Sequence, residues 1–200
     1  MKTRKHGDRH PLLLYRRTLD RIWKMALLIG LLLGAVWVLT MVRPATLPAG
    51  SSGFLLLVAA VVALVLSVLV YLARFTAYSQ VYTDHFRIVT PLLRLNVSYQ
   101  RLRTTHPVLL QQLFPMDKAK WAERKFLEPL YGKTAVVVEL KGYPMKPALL
   151  KLFLPAQMFS PQTTGLVMLV PDWMKFSTEL DVFHGNWLQS QTTGRRMRRP

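Results

Sequence analysis

The sequence predicts a membrane α-helical hairpin joined to an α+β domain, and three observations lead to that fold class. Two long uncharged runs come early in the chain, at residues 25–42 and at Gly53–Ala73. From residue 74 onward, apolar residues instead recur at alternate positions in short segments, which is typical of antiparallel strands. Near the end of the chain they recur every three or four residues, as in a helix that covers one face of a sheet.

The two uncharged runs are long enough to cross a bilayer. They contain 18 and 21 residues, and a helix needs about 20 apolar residues to cross a hydrocarbon core of roughly 30 Å. Trp23 and Lys24 are placed to anchor the first run in the headgroup layer. A buried hairpin in a soluble protein is the alternative, but soluble helices are amphipathic and these runs are apolar on all sides.

A cleaved signal peptide is an alternative interpretation of the first run. The small residues Ala49-Gly50-Ser51 would tolerate cleavage. However, the basic region before the run and the run itself are both long for a signal peptide. We therefore expect an uncleaved anchor.

The distribution of charge predicts the orientation of the hairpin. Residues 1–24 contain eight basic and two acidic side chains, whereas residues 43–52, between the two runs, contain one basic side chain. Positively charged flanks stay in the cytoplasm. We therefore expect a multi-pass protein of the cell (cytoplasmic) membrane whose N- and C-termini are both cytoplasmic.

These patterns divide the chain into four parts. Residues 1–24 are predicted to be a basic cytoplasmic arm, and residues 25–73 the transmembrane hairpin. Residues 74–191 are predicted to form a cytoplasmic domain, and residues 192–200 a basic disordered tail.

The arm itself has two halves. Its first ten residues are polar and basic, and we expect them to be mobile. The residues that follow form either an amphipathic lead-in lying on the membrane, with Arg16, Arg17 and Arg21 toward the headgroups, or a segment whose arginines only set the topology.

Six segments of the cytoplasmic domain are predicted to be strands: residues 77–82, 86–90, 93–98, 134–140, 148–154 and 165–170. The third of them alternates, with Leu95 and Val97 on one face and Arg94 and Asn96 on the other, as in a half-buried antiparallel strand. Residues 105–132 are less regular. Within them, Asp117 is placed to cap a helix that runs from Lys118 to about Leu130.

The C-terminal helix is predicted to begin at Asp172, which acts as its N-cap or first-turn acid. Its apolar stripe consists of Trp173, Phe176, Leu180, Phe183 and Trp187. We expect this stripe to pack on a sheet face that carries Val136, Val138, Leu150 and Leu152.

Several short motifs in this domain resemble one known family. They are Tyr82-Thr83-Asp84 leading into Phe86-Arg87-Ile88, then Ser98-Tyr99-Gln100-Arg101-Leu102, and Leu130-Tyr131-Gly132-Lys133-Thr134 before the strongest strand. With two spans ahead of it, the domain is similar to bacterial membrane proteins that carry a pleckstrin-homology-like (PH-like) domain, over roughly residues 78–188. The resemblance implies a bent seven-stranded antiparallel sheet or barrel capped by a C-terminal helix. It implies little about function, because such domains are generic binding platforms.

The sequence contains no recognised catalytic motif. It lacks cysteine and shows no nucleophile elbow, phosphate-binding loop, or His-Glu-x-x-His zinc motif. His85 beside Asp84 is interpreted as a solvated turn rather than a catalytic dyad. We therefore expect no enzymatic activity, no catalytic residues, no cofactor and no metal.

Excess basic charge is the most informative functional feature. The chain carries a formal charge of +17, and basic residues near a membrane surface are attracted to its anionic leaflet. We expect a positive surface facing lipid or a partner, formed by Arg16, Arg17, Arg21, Arg74, Arg94, Arg101 and Arg103. The alternative is that Arg94 and Arg101 form ion pairs with Glu139 or Glu123 inside the domain. A nucleic-acid partner is not expected, because the basic residues are dispersed.

The function predicted from these observations is that of a non-enzymatic membrane scaffold. Its cytoplasmic domain would bind a partner protein, anionic lipid headgroups, or both. The alternative is a small accessory subunit or assembly factor of a larger membrane complex. The sequence leaves the oligomeric state open.

Overall fold

The computed structural model describes residues 6–42, 52–118 and 120–196. The chain forms two compact units. One unit is Arg16–Phe75, and the other combines the chain before Arg16 with the chain from Thr76 onward. The second unit is therefore discontinuous in sequence, with the first unit inserted into it.

Two long helices form the inserted unit: α1, Leu13–Val42, and α2, Ser52–Ala73. Both are long and apolar enough to cross a membrane, as predicted. In their most apolar stretches only 6% and 11% of the residues are buried, unlike the core helix of a soluble protein. α1 begins at Leu13 rather than at Met25, because the basic segment continues the same helix. Residues 43–51, between the two predicted runs, lie outside the described residues.

Small residues bring the two helices together. A Cβ added to Gly30 would lie 2.9 Å from the side chain of Leu64, so this contact requires glycine. Ala60 and Ser67 are buried on α2, and the Ser67 hydroxyl donates a hydrogen bond to the backbone oxygen of Trp23 at 3.0 Å. Gly34 faces open space. Gly30 is thus used for close packing of the two helices, whereas Gly34, four residues later, is not.

The described residues of the other unit contain seven strands in two antiparallel sheets, and neither sheet closes into a barrel. The first sheet has the order β1-β2-β3-β4 and the second the order β5-β6-β7. Their bounds are β1 His6–Pro11, β2 Tyr78–Tyr82, β3 His85–Val89, β4 Arg94–Ser98, β5 Leu102–Leu109, β6 Thr134–Leu140 and β7 Gly165–Met168. The predicted α+β class is confirmed; β1 and β5 are strands that the sequence analysis did not predict.

β1 is the largest departure from expectation, because it lies in the arm that was expected to be mobile. It pairs antiparallel with β2, opposing Arg9 to Gln80 and Pro11 to Tyr78. The Oε2 atom of Glu179 accepts a hydrogen bond from the backbone N–H of Asp8 at 3.1 Å. The same atom lies 3.1 Å from Nε2 of the buried His10 ring. Backbone pairing and polar contacts thus hold a strand whose sequence has no apolar alternation.

Four helices of more than one turn join or follow the strands: α3 Leu110–Leu113, α4 Trp121–Leu127, α5 Pro147–Phe153 and α6 Trp173–Arg196. The N-cap of α4 is Lys120, so Asp117 does not start that helix.

The segment of α5 was predicted to be a strand, and that prediction is wrong. Leu150 and Leu154 are buried and Leu152 is 74% exposed, which is the spacing of a helix rather than a strand. Pro147 favours this outcome because it fits the first turn of a helix. Leu152 therefore cannot lie under the C-terminal helix as predicted.

α6 caps the domain as predicted. The Asp172 carboxylate accepts a hydrogen bond from the Lys175 N–H at 2.9 Å, and the helix packs on β2, β5 and β6. Phe176 and Leu180 are fully buried, whereas Trp173, Phe183 and Trp187 are only partly buried. The helix continues to Arg196, so the first residues of the predicted disordered tail are helical.

Candidate functional site

An irregularity in the second sheet exposes one of the predicted arginines. Leu102 lies opposite Leu140, but the next pair along the strands is Thr104 opposite Glu139. The extra residue is Arg103, as in a β-bulge, and a bulge redirects a side chain away from the regular ladder. The Arg103 side chain is exposed.

This bulge borders a surface cleft of about 460 Å³. We call it the basic cleft and define it by its lining residues, which are Arg103, Glu139, Leu140, Lys141, Thr163 and Thr164. The backbone N–H of Leu140 donates to Thr164 O at 2.8 Å, which ties the threonine loop to the end of β6. Gly165 allows this approach, because a Cβ there would lie 2.8 Å from the backbone oxygen of Val138. The local backbone thus fixes both walls of the cleft.

The basic cleft has more positive than negative side chains. Arg103 and Lys141 line it against Glu139, and the N–H of Lys141 donates to the backbone oxygen of Arg101 at 2.7 Å. Arg101 donates its Nη1–H to the backbone oxygen of Tyr143 at 2.6 Å. The four ion pairs formed among the described residues include none of these charged groups. The cleft can therefore take an anion, with the guanidinium and ammonium groups as donors and the threonine hydroxyls beside them.

The structure does not bring all the predicted site residues together. Arg94 is exposed on β4 in the first sheet, apart from the basic cleft. The predicted ion pairs of Arg94 and Arg101 with Glu139 or Glu123 are not among those formed by the described residues. Among the described residues, Arg94 on β4 and Arg101 in the turn before β5 are therefore cations without an ion-pair partner.

The remaining predicted arginines belong to the inserted helical unit, Arg16–Phe75. Arg74 pairs with Asp20 at 2.8 Å and lies over the rings of Tyr71 and Phe75, at 4.6 and 4.7 Å. These contacts indicate that Arg74 holds the start of α1 and the end of α2 together. In the same segment, Arg16 lies over the Phe75 ring at 5.7 Å; Arg17 is half-buried, and Arg21 is exposed.

Lys141, Thr163 and Thr164 are site residues that sequence reasoning missed. Lys141 follows the strongest strand of the chain, and the threonines sit in a polar loop before β7. The presence of a loop was readable from the sequence. Its position against Arg103 was not, because that depends on the pairing of β5 with β6.

The buried Tyr99 and the half-buried His184 have shifted pKa values. Burial, with a smaller contribution from Asp84, raises the pKa of Tyr99. The Tyr99 hydroxyl donates a hydrogen bond to the backbone oxygen of Tyr82 at 2.6 Å. Burial lowers the pKa of His184, whose ring lies 5.5 Å from that of Tyr99. The hydrogen bond joins the turn Tyr99–Arg101 to β2, and the ring contact joins α6 to that turn.

Comparison of the chain with protein-family models, curated proteins and solved structures found no match.

Proposed function

We propose that this chain is a non-enzymatic scaffold of the cytoplasmic membrane whose sheet domain binds anionic lipid headgroups. The observation that carries the proposal is the basic cleft: an exposed arginine at a bulge and a lysine lie beside two threonines. Neither cation is in an ion pair with a carboxylate of the part of the chain that the structure describes. The cleft belongs to a chain with two helices suited to a membrane. Anionic headgroups are the ligand that such a tethered domain meets at the highest local concentration.

Strand pairing supports the predicted orientation. β1 precedes α1 and β2 follows α2, yet the two strands are hydrogen-bonded neighbours. If both helices cross the bilayer, these strands must lie on the same side of it. The basic residues that flank the helices favour the cytoplasm as that side.

A PH-like domain remains our interpretation of the fold. The four-stranded and three-stranded antiparallel sheets, followed by a long C-terminal helix, support it. One strand of the seven comes from the chain before the spans, so in this interpretation the hairpin is an insertion between the first and second strands of the domain.

The energetics fit a tethered rather than a free-standing lipid binder. Each basic residue close to an anionic leaflet contributes about 1 kcal/mol, so Arg101, Arg103 and Lys141 together supply only a few kcal/mol. That is weak for a soluble protein. It suffices for a domain tethered at the membrane, because the tether raises the effective concentration of headgroups.

Lipid retention tests the proposal directly. The full-length protein, purified in mild detergent, should retain anionic phospholipid in native mass spectra, and R101Q/R103Q/K141Q should retain less. Lys133→Gln is the matched control, since Lys133 is an exposed lysine before the other end of β6. Equal retention by the triple variant and the wild type would refute the role of the cleft. A stoichiometric co-purifying chain would instead favour the accessory-subunit alternative.

A further inference from the structure

The first sheet has a second cationic surface, on the face that carries Arg87. Arg9, Gln80, Arg87 and Asn96 lie opposite one another in successive strands, so they form one row across all four strands. Arg94 lies two residues before Asn96 on the same strand, and therefore on the same face. We call this surface the arginine face and define it by Arg9, Arg87 and Arg94.

Aromatic rings and an amide contact two of these guanidinium groups. Arg87 lies 4.6 Å from the centre of the Tyr82 ring, and its Nε–H donates to Asn96 Oδ1 at 2.8 Å. Arg9 lies 4.8 Å from the centre of the Tyr78 ring. An arginine fixed in this way loses little side-chain freedom on binding, and its planar donors suit a carboxylate.

The nearest acids along the chain do not neutralise the arginine face. Asp84 is paired with His85 at 2.6 Å, and Asp8 with Lys175 at 2.7 Å. None of the ion pairs among the described residues includes Arg9, Arg87 or Arg94. The remaining contacts of Arg87 are long, 3.5 Å to the Tyr82 hydroxyl and 3.4 Å to His85 Nε2, which leaves its terminal donors free for a better acceptor.

We propose that the arginine face docks an extended acidic segment of a partner protein. Arg9 and Arg87 are two strands apart, roughly 9–10 Å, and Arg87 and Arg94 are diagonal neighbours, roughly 7–8 Å apart. Side chains on one face of an extended chain repeat every 6.4–6.8 Å or so. Alternating carboxylates therefore come close to the spacing of Arg87 and Arg94, whereas a single phosphate group cannot reach more than one or two of the three arginines.

A second copy of this chain is a poor occupant of the face. The chain has 27 basic and 10 acidic residues, so two copies repel each other. Charge complementarity instead selects a partner with acidic residues at alternate positions. The inference is independent of the basic cleft, which lies in the other sheet.

The test uses the full-length protein in nanodiscs of zwitterionic lipid and a labelled peptide that alternates glutamate with threonine. The control peptide has glutamine in place of glutamate. Fluorescence anisotropy should show binding of the glutamate peptide, weakened about threefold to tenfold by Arg94→Gln and by Arg87→Gln. The exposed Arg94 side chain forms no hydrogen bond or ion pair among the described residues, so we expect Arg94→Gln to leave the fold intact. Lys133→Gln, at an exposed lysine outside both the arginine face and the basic cleft, is the matched control and should not change the affinity.

Three outcomes overturn the proposal. Equal affinity for the two peptides would mean that carboxylates are not recognised. Equal weakening by the Arg94, Arg87 and Lys133 variants would mean that only the net charge of the protein acts. Loss of anionic-lipid retention in Arg94→Gln, without loss of peptide binding, would assign the face to the membrane instead. Failure of the lipid-retention test with the basic cleft variants would leave the peptide result unaffected.

Discussion

The two sheets of the domain differ in how they are assembled. Every residue of β7 and the central residues of β6 are buried, so the second sheet is built on two apolar strands, with the more exposed β5 at its edge. The first sheet takes β1 from before the helical hairpin and keeps a polar face with three arginines. The comparison teaches that apolar burial specifies one sheet, while polar contacts and backbone pairing complete the other.

The largest expected effect tests the helix that packs on both sheets. Phe176→Ala should lower the free energy of unfolding by about 3–5 kcal/mol, because it empties a fully buried site. Phe183→Ala, at a partly exposed ring of the same helix, should cost distinctly less. Thermal unfolding of both variants in detergent, followed by circular dichroism, checks this order. Equal losses would mean that the packing of α6 is not centred on Phe176.

A smaller effect is expected from a backbone approach in the second sheet. Gly165→Ala places a Cβ 2.8 Å from the Val138 oxygen, and a rigid backbone atom cannot give way cheaply, so we expect a loss of about 1–3 kcal/mol. Gly142→Ala is the control, because nothing lies within 4 Å of a Cβ at that position. Chemical denaturation that ranks the two variants equally would contradict the close approach.

The attachment of β1 should depend on one carboxylate. Glu179→Gln removes the charge from the shared acceptor of the Asp8 N–H and the His10 ring. We expect a loss of about 1 kcal/mol, expressed as faster amide exchange in β1 with little change in β7. Glu128→Gln, at an exposed glutamate, is the control. Uniformly faster exchange in both sheets would show that β1 does not open separately.

The smallest expected effect is a dependence on pH through His184. Burial lowers its pKa in the folded protein; Asp181 opposes this shift and Lys141 adds to it. The unfolded chain therefore binds this proton more strongly, so stability should fall as the pH drops below the unfolded value of about 6.5. Melting temperatures at pH 7.5 and 5.5 should differ less in His184→Gln than in the wild type. An unchanged difference would assign the pH dependence to other groups.

The sequence predicted well those features that depend on local composition. The two apolar helices, the strand Thr134–Leu140 and the cap at Asp172 each follow from residues close together in the chain. What it missed depends on residues far apart. β1 is a strand only because it meets β2 and Glu179, and the basic cleft exists only because β5 pairs with β6 across a bulge.

The same limit explains the error at α5. Leu150, Leu152 and Leu154 fit the alternation of a strand, while Leu150 and Leu154 also fit the spacing of a helix. In the structure the buried pair is the helical one, and Leu152 is solvent-exposed. A short apolar segment supports both interpretations until its burial is known.

Pairing of β1 with β2 has a consequence for biogenesis. The Gln80 side chain donates to the backbone oxygen of Gly7, 73 residues earlier in the chain, so the ribosome must complete both helices before β1 finds its partner. In the proposed topology, a chain that inserted only one helix would leave β1 and β2 on opposite sides of the bilayer. Such a chain would keep the edge of β2 unpaired and accessible to proteases. Completion of this sheet would thus be a proofreading step, through which a chain with the wrong number of crossings is recognised and removed.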